Sequence, residues 1–309
     1  PTLNMRSKMT DHILTAAIRA ACRPAAELVA AFRGQMTVDF KLDRHDPVTI
    51  HDRRAEAMIR ETIFQDVPDS AFMGEEGGST GDGAVQWFVD PIDGTSNFAC
   101  GIAFWCISVG AVVDGQVVAG AIYDPVADDL FSANAEGAWL NGKPLISANA
   151  PPEENATLIC GYPVTRDFRL DGKELSLARL GRLIETVATL RRPGSAALSL
   201  AHVAAGWADA AAGFGVNPWD VTAGKLIVER AGGRYLPFHL GKCPEDAPAH
   251  HHPGYLALRG GADYPTLCTI ADEIATGRAG GQRSHESPSQ PRCTPVQNLP
   301  SQRHPRMIQ

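Results

Sequence analysis

Residues 85–98, Val-Gln-Trp-Phe-Val-Asp-Pro-Ile-Asp-Gly-Thr-Ser-Asn-Phe, constrain the fold more than any other stretch. The apolar run 85–89 reads as a strand that delivers Asp90 at its end. Pro91 has no N–H to donate, so the ladder is expected to stop there and the chain to turn. Asp90 and Asp93 flank that turn, and Gly94-Thr95-Ser96 reads as a helix opening whose free backbone N–H groups favour an anion. Two carboxylates beside a phosphate-sized cradle repel each other and the anion. The economical reading is a divalent cation bridging carboxylates and phosphate oxygens.

The rest of the chain supplies more acids at element ends. Apolar spacing predicts one helix over 11–33, capped by Thr10 or Asp11, kinked at Pro24 and closed by Gly34. Residues 39–52 read as a short strand or hairpin and a turn, and a second helix through Ala55, Ile59 and Ile63 places Asp52 at its N-terminus. A short strand in 71–78 ends in Glu75-Glu76 and passes into a glycine-rich loop to Gly83. Adjacent residues of an extended chain face opposite ways, so at most one of this pair is expected to enter a site.

Strands at 107–113, 116–123, 130–133 and 138–140, joined by Asp-Gly, Asp-Pro and Asn-Gly turns, form an expected antiparallel meander. After a Pro-rich shift at 148–155 the elements alternate: strand 157–161, helix 173–183, strand 186–190, helix 196–205, apolar segment 208–213, helix 221–231, strand 254–258 and helix 264–275. The expected organisation is an α+β half over 1–150, an α/β half over 151–278 and a tail over 279–309. That tail holds five Pro, five Gln and four Ser with almost no apolar periodicity, so no packed structure is expected there.

Composition excludes several function classes. The net charge is −7 although the tail carries four Arg against one acid, so the body is acidic and lacks a nucleic-acid footprint. No apolar run is long enough to span a bilayer and residues 1–10 lack a secretory pattern, so no membrane partner and a cytoplasmic location are expected. The seven cysteines are scattered with no C-x-x-C pair, which reads as free thiols. Hard oxygen ligands without nearby His or Cys point to Mg²⁺ rather than Zn²⁺.

Gly74-Glu75-Glu76, Asp90-Pro91-Ile92-Asp93-Gly94-Thr95 and Trp219-Asp220-Val221-Thr222-Ala223-Gly224 resemble the three signatures of the inositol monophosphatase family, metal-dependent, lithium-sensitive phosphatases, in the right order with every acidic position filled. The resemblance spans about 11–276 and implies a layered αβαβα sandwich of the inositol monophosphatase/fructose-1,6-bisphosphatase type, mixing α+β and α/β character, and a homodimer. It implies two or three Mg²⁺ per site, held by Glu75, Asp90, the Ile92 carbonyl, Asp93 and Asp220. Asp52 and Thr95 would orient the attacking water, with Lys41 near it, and Gly94 and Thr95 amides would hold the phosphate of a small phosphorylated substrate. Gly194-Ser195-Ala196 matches the family's substrate loop, whereas Gly213 stands where inositol-specific members place a Glu against ring hydroxyls. An inositol-like phosphate, histidinol phosphate or a sugar phosphate all fit.

Plainer readings stand beside these. Asp93 alone reads as a turn residue, and Thr95 and Asp52 as helix caps. Glu76 reads as a neighbour of the site, Trp87 and Trp219 as core, Cys100 and Cys106 as small buried hydrophobes, and His250-His251-His252 as part of a Pro-rich loop. Two other functions are compatible with the motifs: a regulatory protein of the same fold acting through a macromolecular partner, and an acidic calcium-binding module.

Overall fold

The long N-terminal helix breaks in two because Pro24 cannot donate to the preceding turn. Helix α1 spans Leu3–Cys22 and α2 spans Ala25–Phe32, with Pro24 at the N-cap of α2. The expected start at Thr10 or Asp11 is therefore corrected to Leu3. The computed structural model describes residues 3–34, 39–40, 47–48 and 50–281, with side chains over 8–34 and 50–280. Lys41 and residues 282–309 lie outside the described residues, and 279–281 belong to the last helix, not to a tail.

Strands β1 (Asp39–Phe40) and β2 (Pro47–Val48) form a small antiparallel pair, followed by α3 (Ile50–Asp66). Next come β3 (Ser70–Gly74), β4 (Gly78–Thr80) and β5 (Val85–Asp93). Where a glycine-rich loop was expected, β4 pairs antiparallel with β3 through Gly74 and Gly78. The expected end of pairing at Pro91 is also corrected. The register of β5 on β6 (Cys106–Val113) shifts between Asp90 and Asp93, and pairing resumes at Asp93 opposite Cys106. Proline is tolerated in a sheet at such an irregularity, where its missing N–H breaks no ladder bond.

The meander continues through β7 (Gln116–Asp124), β8 (Asp129–Asn134), β9 (Gly137–Leu140) and β10 (Lys143–Pro144), giving an eight-stranded sheet in the order β10-β9-β8-β7-β6-β5-β3-β4. A second sheet of five strands has the order β12-β11-β13-β15-β14. It is built from β11 (Thr157–Cys160), β12 (Thr189–Arg191), β13 (Ala210–Phe214), β14 (Arg234–Phe238) and β15 (Gly254–Leu258). β15 runs antiparallel to the parallel trio β12-β11-β13, and β14 pairs antiparallel with β15, so this sheet is mixed rather than purely parallel.

Five layers result. Ile13, Ala17 and Ala20 of α1 and Ile59 and Ile63 of α3 cover one face of the large sheet. Helices α7 (Ala196–Ala205) and α8 (Pro218–Ala231) lie between the sheets, with Leu200, Val221 and Ile227 buried there. The outer face of the small sheet is closed by α6 (Lys173–Thr186) and α9 (Pro265–Gly281) through Leu183, Leu267 and Ile270. A short helix absent from the sequence reading, which we number α5, spans Thr165–Asp171.

The central layer sits unusually close to the large sheet. Gly110 and Gly120 face each other across β6 and β7. A Cβ on Gly110 would lie 2.6 Å from Thr222 Cγ2, and one on Gly120 2.9 Å from Ala223 Cα. These two glycines make the groove that receives the first turns of α8, and with it the height of Asp220 above the strands. Gly120→Ala should therefore destabilise the fold by about 1–3 kcal/mol through overpacking. Urea denaturation measures this, and an unchanged midpoint would contradict it.

Candidate active site

Three elements converge at the end of β5. Asp90, only 3% exposed, pairs across to Ser108, and its Oδ1 accepts a hydrogen bond from the Ile92 amide at 3.0 Å. The Glu75 amide donates to Val89 O at 3.2 Å, which carries the parallel pairing of β3 and β5 one residue further. That register sets Glu75 beside Asp90, within side-chain hydrogen-bond reach. Asp220 enters from the first turn of α8, where Pro218 occupies the opening position and the Asn217 amide donates to Asp220 Oδ2 at 2.7 Å. The Ser108 hydroxyl donates to Trp219 O at 3.3 Å and ties that turn to β6.

Asp93 does something the sequence reading did not anticipate. Its Oδ2 accepts from the Ser195 hydroxyl at 2.6 Å and the Ala197 amide at 2.5 Å, and its Oδ1 from the Ala196 amide at 3.3 Å. The carboxylate thus sits at the N-terminus of α7, where unpaired amides and the helix dipole favour an anion. Asp93 ties the end of β5 to the start of α7, and it draws Ser195 and Ala196 of the expected substrate loop to the acid cluster.

Asp52, fully buried in the first turn of α3, accepts from the Thr95 hydroxyl at 3.2 Å, and the same hydroxyl lies 3.1 Å from Ile92 O. Gly94, the residue before the short helix α4 (Thr95–Cys100), has φ +100°. A Cβ there would lie 3.0 Å from Phe104 O, so both conformation and space require glycine.

Two positioning residues escaped the sequence reading. Glu56, one turn after Asp52 and almost fully buried, accepts from the Glu76 and Gly77 amides, each at 2.7 Å, and so fixes the turn that aims Glu75. Gly74 must be glycine because a Cβ would lie 2.3 Å from Glu56 Oε2. The available signal was an i, i+4 acidic pair on a helix face otherwise filled by Ala55, Ile59 and Ile63. Asn97 of α4 donates to Phe104 O at 2.7 Å and Pro193 O at 2.5 Å, which holds Gly194 in place.

The electrostatics follow from crowding acids out of water. Burial, then the charges of Glu75, Asp93 and Asp220, push the Asp90 carboxyl well above its usual range. Burial and Asp93 do the same to Asp220. Burial raises Asp93 from 3.8 to about 6, against the opposing effect of its Ser195, Ala197 and Ala196 hydrogen bonds. Cys106, with its Sγ 4.0 Å from Asp93 Oδ2, is kept a neutral thiol by burial and the nearby acids. Cys100, expected buried, is exposed.

Among the described residues no three His, Cys, Asp or Glu side chains form a ready-made coordination sphere. The donor set nevertheless suits a hard divalent cation: Glu75, Asp93 and Asp220 push the Asp90 carboxyl up, Asp93 pushes Asp220 up, and a cation among them relieves that repulsion. A cavity of about 250 Å³ opens beside Asp93, lined by the 193–196 loop on one side and Tyr162, Arg166 and Phe214 on the other. The run His250-His251-His252 lies elsewhere, with His250 and His251 edge-on to Phe88 and burial lowering His250 to about 4. Trp87 is core as expected, its indole N–H donating to Ser70 Oγ at 2.9 Å, whereas Trp219 is only half-buried.

Known proteins share this architecture. The sequence profile of the inositol monophosphatase family matches residues 9–273. The chain belongs to that family. It is 39% identical over 230 residues to a protein named Nus factor SuhB from Pseudomonas aeruginosa, covering 72% of this chain and 83% of that one. It is 36% identical to an inositol-1-monophosphatase from Synechocystis, covering 72% and 76%. The solved extragenic suppressor protein suhB from Bartonella henselae superposes with a TM-score of 0.73 at 29% identity, covering 86% of this chain and 99% of that one. The layered fold is that of the inositol monophosphatases, as the motifs implied.

The raised acids set a pH dependence for protein free of metal. The folded pKa of Asp93 exceeds its ordinary 3.8, so its contribution to stability is complete below about 4 and is lost as pH rises through about 6. Asp90 and Asp220 shift in the same direction. In EDTA, thermal unfolding should show a smaller fall in stability between pH 4 and 7 for Asp90→Asn than for wild type. Identical profiles would contradict the crowding.

Proposed function

We propose that this chain is a Mg²⁺-dependent phosphomonoesterase acting on a small phosphorylated alcohol, an inositol-like phosphate, histidinol phosphate or a sugar phosphate. The observation that carries this reading is the meeting of Glu75, Asp90 and Asp220, with Asp93 beside them, next to a Thr95–Asp52 hydrogen bond and at the edge of a cavity. The family to which the chain belongs is metal-dependent, which supports the same reading.

In this proposal Glu75, Asp90, the Ile92 carbonyl, Asp93 and Asp220 hold two or three Mg²⁺. When bound, the metal supplies Lewis acidity for water activation and neutralises the departing alkoxide. The chain's own residues do the rest. The Thr95 proton is directed to Asp52 or to Ile92 O, which leaves hydroxyl lone pairs to accept from, and so orient, the attacking water. Gly94 and Thr95 offer amides to the phosphate, and Gly194, Ser195 and Ala196 border the alcohol. Asp93 must divide its carboxylate between metal and α7, so loading the site couples the two halves. Lithium sensitivity, a homodimer and a cytoplasmic location complete the proposal on the family resemblance, and no helix among the described residues is long and apolar enough to cross a membrane.

A second reading has one specific support, the identity to proteins named Nus factor SuhB. There the chain would act through a macromolecular partner, with or without hydrolysis. Asp90→Asn separates the two more cleanly than a change at Asp93, because Asp93 also anchors α7.

Phosphate release from Asp90→Asn should fall below about a hundredth of wild type at saturating Mg²⁺. Full activity in that variant would sink the enzymatic reading. Glu56→Gln should weaken Mn²⁺ binding by about 10–100-fold without removing a ligand. Titration calorimetry tests this, and unchanged affinity would show that the Glu76–Gly77 turn needs no such clamp.

A further inference from the structure

The far wall of the cavity is built from three features that the phosphate chemistry does not use. The first is Gly213, on β13 opposite Tyr255 of β15. A Cβ at this position would lie 2.7 Å from Tyr255 Cε1 and 3.1 Å from Val216 Cγ1. Tyr255 is buried and stacks on Tyr235 with ring centroids 5.6 Å apart, so the ring cannot step aside. The position is closed to any acceptor side chain, not merely short of one.

The second feature is the lack of alternatives around it. Four hydroxyls line the cavity: Ser195 donates to Asp93 and accepts from the Leu198 amide, Ser199 donates to Ser195 O, Tyr162 donates to Asp171 Oδ2, and the fourth belongs to Tyr255. Asp167, also on the wall, is taken up by the Val164 amide and by Arg278. A polyol presenting several hydroxyls meets only carboxylates that are already engaged, Asp93 and Asp167, and Tyr162, Phe214 and Val216 offer apolar surface.

The third feature is Arg166, in α5 at the rim. Its Nη1 donates to Gly215 O at 3.0 Å and its Nη2 to Phe214 O at 2.5 Å. Glycine at 215 is what admits it, since a Cβ there would lie 2.2 Å from Nη1. Two carbonyl bonds use two of five N–H donors, and the side chain stays 45% exposed. Its nearest acid is Asp167, whose Oδ1 lies 3.7 Å from Arg166 Nε but is engaged more closely by Arg278 at 2.9 Å. Asp167 and Asp171 pair with Arg278, Arg179 also reaches Asp171, and Glu273 pairs with Arg182 and Arg179. With Arg166 included, four arginines face three acids, and Arg166 is the member that lines the cavity.

Building on the phosphatase reading, we propose that Arg166 is a specificity residue that binds a second anionic group on the substrate. The preferred esters then carry a further phosphate or a carboxylate on the alcohol. The bonds to 214 and 215 fix the orientation of the planar guanidinium at the rim, and the remaining N–H groups meet the anion as charge-assisted hydrogen bonds. No covalent step is involved.

Matched pairs of esters test this. Fructose 1,6-bisphosphate against fructose 1-phosphate reports a second phosphate, and 2-phosphoglycerate against glycerol 2-phosphate reports a carboxylate. In at least one pair the wild-type kcat/KM should favour the doubly anionic ester by about tenfold or more, the contribution of a charged hydrogen bond. Arg166→Gln should collapse that ratio towards unity, mainly through KM, and Arg166→Lys should restore part of it. A purely structural clasp on 214 and 215 would instead lower both members of a pair alike. Such a uniform fall, or a wild-type preference for the singly anionic member of both pairs, overturns the assignment. A protein that releases phosphate from no ester with Mg²⁺ overturns the phosphatase reading itself, and this one with it.

Discussion

Repulsion among buried carboxylates governs this molecule. Two like charges about 4 Å apart repel by about 4 kcal/mol at an effective dielectric of about 20, and burial adds a desolvation penalty to each. Asp90, Asp93 and Asp220 are all pushed towards their protonated forms by this crowding. A fold that gathers them must supply compensation, and it does so unequally. Asp93 is given three hydrogen-bond donors at the start of α7, whereas Asp90 is given the Ile92 amide and a neighbouring acid. The uncompensated part of the cluster is therefore around Asp90, where a cation relieves most repulsion.

Much of the scaffold is explained by holding that arrangement against its own tendency to spread. Glu56 clamps the turn behind Glu75, the Gly110–Gly120 groove lets α8 descend with Asp220, and the irregular register at Pro91 turns Asp90 and Asp93 towards the same cleft. Asn97 ties α4 to the 193–194 loop across a long stretch of sequence. Local devices thus join residues of β5, α3, α7 and α8 into one site, and the 193–196 loop also lines the cavity beside it.

The sequence made the acids legible because their neighbours are unambiguous: proline after Asp90, glycine after Asp93, a helix opening before Asp220. It made the meander legible through Asp114-Gly115 and Asn141-Gly142, whose Asp114 and Asn141 take the positive φ such turns require. Other features were hidden for physical reasons. Pairing that resumes at Asp93 depends on Cys106 across the sheet, which no local pattern encodes. Short helix α5 is too brief and too polar to stand out by periodicity, and strand β14 is brief and interrupted by Pro237. The role of Asp93 at α7 needs a contact across a hundred residues, and Glu56 looked like an ordinary charged helical residue until its two amides were in view.

The account rests on a cation lodging where Asp90 is least compensated. Anomalous difference density from crystals soaked in Mn²⁺ tests that directly. Peaks at about 2.0–2.3 Å from carboxylate oxygens of Glu75, Asp90 and Asp220 are predicted. A protein that hydrolyses phosphate esters in Mn²⁺ while showing its peaks elsewhere, or none at these carboxylates, would contradict it.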